Sequence, residues 1–173
     1  MSSGEKVILR PATIADIDVL RSWDEQPHVI ESSPNDVWDW EYELPRIHDW
    51  RELLIAEVNG RPVGFIMVID PEKEETHYWG DAPPNLRALD IWIGESTDLN
   101  RGYGTQMMQQ TLERCFSNPK VTAVIIDPLA SNTNAIRFYQ RMGFVFTEHR
   151  WFEEDYCAIH QITRNDWEAL NKK

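Results

Sequence analysis

A loop with two glycines lies between a strand-like and a helix-like segment in the middle of this chain. Residues 99–105 read Leu-Asn-Arg-Gly-Tyr-Gly-Thr; the apolar residues 89–93 precede them, and residues 105–116 carry apolar side chains at helical spacing. Glycines let the backbone approach a ligand closely, and the first amides of a helix bind anions. The pattern predicts a strand–loop–helix unit that either binds a phosphate group or forms a simple tight turn.

The loop fits neither of two common nucleotide-binding motifs. A dinucleotide fingerprint needs a third glycine and an acidic residue about 20 positions later, and the third glycine is missing. A P-loop needs Lys followed by Ser or Thr after its last glycine, whereas Gly104 is followed by Thr105 and Gln106. If the loop binds phosphate, the predicted ligand is a diphosphate held by backbone amides.

Length and composition predict one globular domain that spans residues 1–173. A chain of 173 residues with 42% apolar residues can form one hydrophobic core. It has no apolar run of about 18 residues that would cross a membrane. The start, Met-Ser-Ser-Gly-Glu-Lys, lacks the apolar stretch of a signal peptide, so we expect a cytoplasmic protein without membrane contact.

The cysteines and histidines predict no metal site and no disulfide framework. Cys115 and Cys157 are the two cysteines, and we expect both to be reduced thiols in the core or near the surface. The five histidines lack the spacing of metal ligands. Among them, His28 either contacts the acceptor or faces solvent, and we expect it to face solvent.

A net charge of -12 disfavours nucleic acid as a partner, because the acidic surface repels phosphates. The same charge raises the local concentration of cationic ligands. It also increases solubility without any specific role. Composition alone leaves both explanations open.

Strand-like and helix-like segments alternate along the chain without a linker between them. Thr13 and Asp16 form a capping-box pattern before a helix, and Asn59-Gly60 predicts a hairpin turn. Residues 26–49 are acidic, aromatic and poorly periodic. The order predicts an α/β fold in which helices flank a mixed sheet. The predicted strands are residues 6–10, 52–58, 62–69, 87–95, 121–126, 144–146 and 156–162, and the later predicted helices are residues 105–116 and 132–142.

A second motif gives the loop a specific ligand. Residues 132–144 read Asn-Thr-Asn-Ala-Ile-Arg-Phe-Tyr-Gln-Arg-Met-Gly-Phe. Together with the glycine loop, this segment resembles the GNAT superfamily of acyl-coenzyme A dependent N-acetyltransferases. That family commonly has Gln or Arg at the position of Leu99, whereas this chain has Arg101 as the cation of the loop.

The resemblance implies a seven-stranded, mostly antiparallel mixed sheet whose fourth and fifth strands splay apart to admit acetyl-coenzyme A (acetyl-CoA). Main-chain groups of Ile91 and Ile93 would hold the pantetheine arm. Asn132, with Ala135 in the same motif, would lie near the pantetheine. The amides implied to hold the pyrophosphate are those of Asn100, Arg101, Gly102, Tyr103, Gly104 and Thr105.

Acetyl transfer to an amine needs a base for the amine and an acid for the departing thiolate. The resemblance places Tyr139 near the sulfur as the acid, although outside the motif an aromatic residue there would indicate helix packing. Asp90 lies in an apolar strand and is either the base or a partner of Arg87. Asp127 precedes Pro128 and is either a site carboxylate or a turn residue.

Within the superfamily, the chain looks like the aminoglycoside 6'-N-acetyltransferases of antibiotic resistance. The segments that carry this likeness include Ile-Asp-Pro-Leu-Ala-Ser-Asn at residues 126–132 and Leu-Asp at 89–90. The likeness implies that Asp90 and Asp127 bind or deprotonate the amino groups of a polycationic drug. Trp38, Trp79 and Asp81 are expected to wall the acceptor, although Trp38 also fits the core face of an amphipathic helix.

Three classes of function therefore remain. The first is an aminoglycoside 6'-N-acetyltransferase. The second acetylates another amine, such as a protein N-terminus, a siderophore hydroxylamine or a polyamine, and the third is a non-catalytic acyl-CoA binding module. The expected partner is a cationic small molecule, with the protein a monomer or, through its last strand, a homodimer.

Overall fold

The computed structural model describes residues 5–172, which form seven strands and six α-helices. The strands are β1 (Val7–Pro11), β2 (Arg51–Val58), β3 (Arg61–Ile69), β4 (Leu86–Ile93), β5 (Ala123–Ile126), β6 (Val145–Phe152) and β7 (Asp155–Thr163). The helices are α1 (Ile17–Asp24), α2 (Pro27–Ser32), α3 (Trp40–Glu43), α4 (Tyr103–Phe116), α5 (Thr133–Arg141) and α6 (Arg164–Leu170).

One mixed sheet contains all seven strands in the order β1-β2-β3-β4-β5-β7-β6. β4 runs parallel to β5, whereas β1 with β2, β5 with β7, and β6 with β7 pair antiparallel. The predicted mixed sheet with flanking helices is thus confirmed. No helix within residues 5–172 is both long and apolar enough to cross a membrane.

Contacts divide the chain into two compact units. The first contains the residues up to Val68 together with Asp90–Thr111, and the second contains Ile69–Leu89 and the residues from Leu112 onward. β4 contributes its first half to the second unit and its second half to the first. The expectation of a single domain stays a prediction.

The first unit is organised around the β2–β3 hairpin and the helices before it. Asn59 and Gly60 both have positive φ, 52° and 78°, as the predicted hairpin turn requires. The predicted capping box at Thr13 is also present, and it opens a single 3-10 turn that leads into α1. Gly64 of β3 is needed for close packing, because an added Cβ would lie 2.7 Å from the backbone carbonyl oxygen of Trp92 in β4 as well as against the side chain of Met107 in α4.

The second unit is organised around the β6–β7 hairpin and β5. β7 pairs with β5 on one side and with β6 on the other, from Val145↔Gln161 to Phe152↔Asp155. One buried cluster lies beneath this part of the sheet. Its buried members are Trp79, Ala88, Ile125, Phe152, Cys157 and Ile159.

The register between β4 and β5 determines where the parallel pairing ends. Leu86, Arg87 and Ala88 pair with Ala123, Val124 and Ile125. β5 ends at Ile126, one residue beyond its last pair, so the four residues 90–93 of β4 extend past the end of β5. The implied splay of the fourth and fifth strands stays a prediction.

Four elements differ from the prediction. Residues 26–49 contain the short helices α2 and α3, which are too brief to produce a helical period in the sequence. β6 runs to Phe152 instead of ending at residue 146, because its exposed side chains give it no apolar alternation. α6 was not predicted, although Thr163 caps it by accepting from the backbone N–H of Asp166.

Candidate active site

The glycine loop lies in the first unit and leads directly into α4. Asn100 and Gly102 have positive φ, 61° and 83°, so the chain reverses sharply before the helix. Helix α4 begins at Tyr103, two residues before the predicted start, and Gln106 donates its backbone N–H to the carbonyl of Gly102. Gly104 and Thr105 therefore lie in the first turn of α4, where amides lack partners within the helix.

Arg101, the cation of the loop, lies near two carboxylates. Its guanidinium is 3.7 Å from Glu5 and 3.8 Å from Asp98. Asp98 itself is buried and receives two hydrogen bonds from Arg61, at 2.8 and 3.0 Å. Tyr103 donates its hydroxyl to Glu5 at 2.9 Å. The loop is thus surrounded by ion pairs.

The second half of β4 presents alternate backbone groups on its two edges. Gly94 donates its N–H to Val63 of β3, and the carbonyl of Trp92 lies beside Gly64 of the same strand. Since successive residues alternate, the N–H and C=O groups of Ile91 and Ile93 lie on the opposite edge. These are the main-chain groups that the resemblance assigns to the pantetheine arm.

His28 of α2 contacts this edge of β4. Its Nε2 is 2.8 Å from the carbonyl oxygen of Ile93. A carbonyl only accepts, so Nε2 carries the proton and donates. The ring is half-buried, and the expectation that His28 faces solvent is therefore wrong.

Asp90 is a half-buried carboxylate in the second half of β4. Burial raises its pKa to about 7, and the negative charge of Asp36 contributes in the same direction. Its alternative partner Arg87 contacts Asp70 at 3.3 Å. A carboxylate with a pKa near 7 is suited to accept a proton at physiological pH.

A cavity of about 230 Å³ opens beside α1, α2 and the segment that follows α2. Its polar lining includes Asp24 and Asp36, and its aromatic lining is Trp38 and Trp92. Trp92 and Asp90 are two residues apart on β4 and share one face of the strand. The full lining is Asp24, Val29, Ile30, Ser33, Pro34, Asp36, Val37, Trp38 and Trp92.

An aromatic cluster fixes the wall of this cavity. Trp38 stacks on Trp40 at 4.4 Å between ring centroids, and Phe65 lies 4.7 Å from Trp92. Trp40 donates its indole N–H to Asp24 at 2.6 Å. Burial raises the pKa of Asp24, and the bond from Trp40 opposes this shift. Trp38 packs in this cluster and lines the cavity, but it lies before α3, so its interpretation as the core face of an amphipathic helix is wrong. Its role in the acceptor wall stays a prediction.

The second unit carries the other predicted carboxylate, Asp127, directly after β5. Its Oδ2 accepts a hydrogen bond of 2.9 Å from the hydroxyl of Tyr78. The ring of Tyr78 stacks on Phe152 at 4.5 Å. Glu74 accepts from the backbone N–H of Tyr78 and from Thr76, which shapes the loop that carries the tyrosine.

The Asn132–Phe144 motif is also placed within the second unit. Asn132 caps α5 by accepting from the backbone N–H of Ala135 at 3.2 Å. Tyr139 is buried on α5, with its ring centroid 6.0 Å from that of Phe144. These contacts explain part of the motif by helix capping and packing, and the implied roles toward the donor remain proposals.

The residues of the segment expected to form the opposite acceptor wall differ in how deeply they are buried. Trp79 belongs to the buried cluster of the second unit, whereas Tyr78 and Asp81 are exposed. Sequence reasoning named Trp79 and Asp81 but missed the contact of Tyr78 with Asp127. It also missed Asp24 and Asp36, because residues around them have no periodicity that predicts which side chains face a cavity.

No group of three or more His, Cys, Asp or Glu side chains within residues 5–172 is placed to hold a metal ion. The groups that the structure places at the predicted site positions are carboxylates, a buried tyrosine, backbone amides and aromatic rings.

Comparison with known proteins gives two curated relatives that match most of this chain. Aminoglycoside N(6')-acetyltransferase type 1 of Klebsiella pneumoniae is 28% identical over 157 residues, which cover 83% of this chain and 76% of the relative. Lysine N-acyltransferase MbtK of Mycobacterium tuberculosis is 26% identical over 151 residues, which cover 80% and 68%.

A solved structure and a family model agree with these relatives. The structure of aminoglycoside acetyltransferase AAC(6')-Ib in complex with coenzyme A and kanamycin matches with a TM-score of 0.86 and 25% identity, covering 96% of this chain and 100% of the other. The model of the acetyltransferase (GNAT) domain matches residues 13–152, which include parts of both units. The chain belongs to the GNAT family of acetyl-CoA dependent N-acetyltransferases.

Proposed function

We propose that this enzyme transfers the acetyl group of acetyl-CoA to the 6'-amine of an aminoglycoside and thereby inactivates the drug. The observation that carries the proposal is the cavity of the first unit, which is lined by Asp24, Asp36 and Trp38 next to the strand that holds Asp90. The likeness to an aminoglycoside N(6')-acetyltransferase supports it. Since acetyl-CoA is an intracellular metabolite, the reaction belongs in the cytoplasm.

The chemistry of the cavity suits an amino sugar. Aminoglycosides are polycations near neutral pH, and carboxylates bind their ammonium groups by charge-assisted hydrogen bonds. Indole rings attract ammonium groups and pack against the apolar faces of sugars. The net charge of -12 adds a long-range attraction for such a ligand.

The proposed reaction is direct attack of the amine on the thioester. Asp90, or a water that it holds, takes the proton from the 6'-ammonium group. The neutral nitrogen then forms a bond to the acetyl carbonyl carbon, and the carbon–sulfur bond breaks. Tyr139 donates its phenolic proton to the departing thiolate, so that free coenzyme A leaves as a thiol. The nitrogen, cationic after the attack, loses its second proton to give the amide, and this proton restores the phenol of Tyr139.

The donor is held mainly by main-chain groups in this proposal. The edge of β4 that carries the main-chain groups of Ile91 and Ile93 binds the pantetheine arm, beside the bond from His28 to Ile93, and the amides from Asn100 to Thr105 bind the diphosphate. Asn132 and Ala135 lie along the pantetheine. Asp127 binds an ammonium group of the acceptor, and the exposed Tyr78 and Asp81 of the same unit complete the acceptor wall, with Trp79 packed against Tyr78 from the buried cluster.

A lysine or hydroxylamine acceptor is the second candidate. It is favoured by the likeness to lysine N-acyltransferase MbtK, which covers 80% of this chain. Both acceptors present a cationic amine, so the carboxylates alone do not separate them. The aromatic lining of the cavity favours the ring-shaped acceptor.

Thiol release from acetyl-CoA, measured over a panel of acceptors, tests the proposal. We expect turnover with kanamycin and tobramycin, and none with an aminoglycoside that carries a hydroxyl at the 6' position. Lysine, N-hydroxylysine and spermidine serve as the competing acceptors. Turnover restricted to these three would overturn the aminoglycoside assignment in favour of the second candidate.

Asp127→Asn should weaken acceptor binding. We expect the KM for kanamycin to rise about tenfold or more with a smaller change in kcat, because one charge-assisted hydrogen bond is lost. The KM for acetyl-CoA should not change. Asp49→Asn removes the same charge from an exposed loop position and is the matched control; an equal rise in this control would indicate only a general effect of charge.

Tyr139→Phe should lower kcat by about a hundredfold with little change in acetyl-CoA affinity, because the general acid is lost. Steady-state kinetics with tobramycin measure kcat, and equilibrium binding measures affinity. Tyr156→Phe, at an exposed position of β7, controls for the substitution itself. Unchanged turnover in Tyr139→Phe would remove this residue from the acid role.

A further inference from the structure

Asp98 is a buried carboxylate at the end of a 3-10 turn, Ser96–Asp98, immediately before the glycine loop. Two cations face it. Arg61, the first residue of β3, holds both of its oxygens at 2.8 and 3.0 Å, and Arg101 lies 3.8 Å away. A buried carboxylate is strongly destabilising unless a cation neutralises it, and the paired fork of Arg61 meets that requirement.

Arg101 is held less tightly than Arg61. Its distances of 3.7 Å to Glu5 and 3.8 Å to Asp98 exceed those of a hydrogen bond. Its side chain is 43% exposed, and its guanidinium lies 5.6 Å from the centroid of Tyr103. Arg101 can therefore turn toward a new anion without leaving a close ion pair.

The sequence of the loop makes this cation important. Residues 99–105 contain one cationic residue, Arg101, and Leu99 at the start of the loop is apolar. The backbone amides of the loop carry partial charges only. If the diphosphate of the donor receives a full positive charge from these seven residues, Arg101 must supply it.

We propose that Arg61 is a positioning residue for the donor, because it neutralises Asp98 and so leaves Arg101 available to the diphosphate of acetyl-CoA. This inference rests on the proposed placement of the donor at the glycine loop. Without Arg61, Asp98 draws Arg101 into a close ion pair and withdraws the cation from the ligand. Arg61 thus acts on donor affinity through Asp98, without touching the donor.

The two carboxylates near Arg101 differ in what they require. Glu5 accepts a hydrogen bond from the hydroxyl of Tyr103, and its side chain is partly exposed to water. Asp98 is buried, with 2% of its side chain exposed. Asp98 therefore needs a neutralising cation more than Glu5 does, and Arg61 supplies it.

Equilibrium binding of coenzyme A, measured by calorimetry without an acceptor, tests this inference. Arg61→Gln should weaken binding about tenfold, the effect of one lost charge-assisted contact. Asp98→Asn should bind coenzyme A about as well as the wild type. In the double variant Arg61→Gln/Asp98→Asn, affinity should return to within about threefold of the wild type, because no buried carboxylate remains to capture Arg101.

A donor that lacks the diphosphate distinguishes the proposed role of Arg61 in diphosphate binding from a general effect of the substitution on the structure. With S-acetylpantetheine as the donor, Arg61→Gln should leave the KM for the donor unchanged. Arg10→Gln is the matched control, since Arg10 also binds a buried carboxylate, Asp16, through two hydrogen bonds of 2.9 and 2.7 Å. We expect this control to lower the melting temperature while coenzyme A affinity stays that of the wild type.

Unchanged coenzyme A binding in Arg61→Gln, or a double variant as weak as the single one, would overturn the inference. So would failure of the wild type to bind coenzyme A. If Arg61→Gln does not fold, Arg61→Lys keeps the charge without the fork and should show a smaller loss. A protein that binds coenzyme A in this pattern but acetylates no aminoglycoside would refute the proposed function and leave this inference intact.

Discussion

A single carboxylate, Asp90, has properties that bear on both catalysis and stability. Burial is the first cause of its raised pKa of about 7, and the charge of Asp36 is the second. Below this pH the carboxyl is protonated and cannot accept a proton from the acceptor. The proposed base is thus active in the upper part of the physiological range.

The pH dependence of kcat/KM follows from this pKa. We expect kcat/KM for kanamycin to rise as the pH increases through about 7 and then level off. Asp90→Asn should lose about a hundredfold or more in kcat and should lack this rise. Asp36→Asn removes the neighbouring charge, so it should shift the midpoint of the rise to lower pH. A rise with the same midpoint in Asp90→Asn would assign the titration to another group.

The raised pKa of Asp90 also makes the stability of the fold depend on pH. The charged form that serves as the base is the form that destabilises the fold. A carboxyl whose pKa is higher in the folded state stabilises the fold most below its unfolded pKa of about 4, and this contribution is lost as the pH rises through about 7. Asp90→Asn should therefore unfold like the wild type near pH 4 and be more stable by roughly 1–3 kcal/mol near pH 8. Urea unfolding at both pH values measures this difference. A less stable variant near pH 8 would contradict it.

At the scale of elements, a hydrogen bond from His28 attaches α2 to β4. His28 donates to the carbonyl of Ile93, while Val29 and Ile30 of the same helix line the cavity. Because α2 has only six residues, it depends on such tertiary contacts for its position. The wall of the proposed acceptor cavity is therefore attached to the strand that carries Asp90.

His28→Ala should loosen this wall. We expect the KM for kanamycin to rise about fivefold, the value of one neutral hydrogen bond, with a smaller change in kcat. His28→Gln retains an N–H donor and should recover part of the loss. His149→Ala, at an exposed position of β6, is the control. Equal KM values in His28→Ala and the wild type would show that α2 keeps its place without this bond.

At the scale of the whole molecule, the net charge of -12 should attract a polycationic acceptor, and added salt should screen this attraction. Raising the salt concentration from about 50 mM to about 300 mM should increase the KM for kanamycin severalfold. Spermidine, if it is accepted, should show a similar trend, whereas kcat should change little. A KM that does not depend on salt would mean that the acidity serves solubility alone.

Much of the fold was predictable because its elements carry local signals. The Asn59-Gly60 turn, the capping box at Thr13 and the glycine loop each depend on the conformational preferences of a few neighbouring residues. Helices α2 and α3 were not predictable in this way, because they are short and their positions follow from packing. The same lack of a period concealed Asp24 and Asp36 as cavity residues.

Some features of the candidate site were likewise predictable from the sequence, and others depend on the tertiary structure. Sequence alone determined the glycine loop, the Asn132–Phe144 motif and the presence of Asp90 in an apolar strand, since these depend on residue type and spacing. Only the tertiary structure decided that Arg61 pairs with Asp98, that Tyr78 donates a hydrogen bond to Asp127, and that His28 donates one to Ile93. Each of these contacts joins residues more than 30 positions apart, and no local preference of the chain determines which distant side chains will meet.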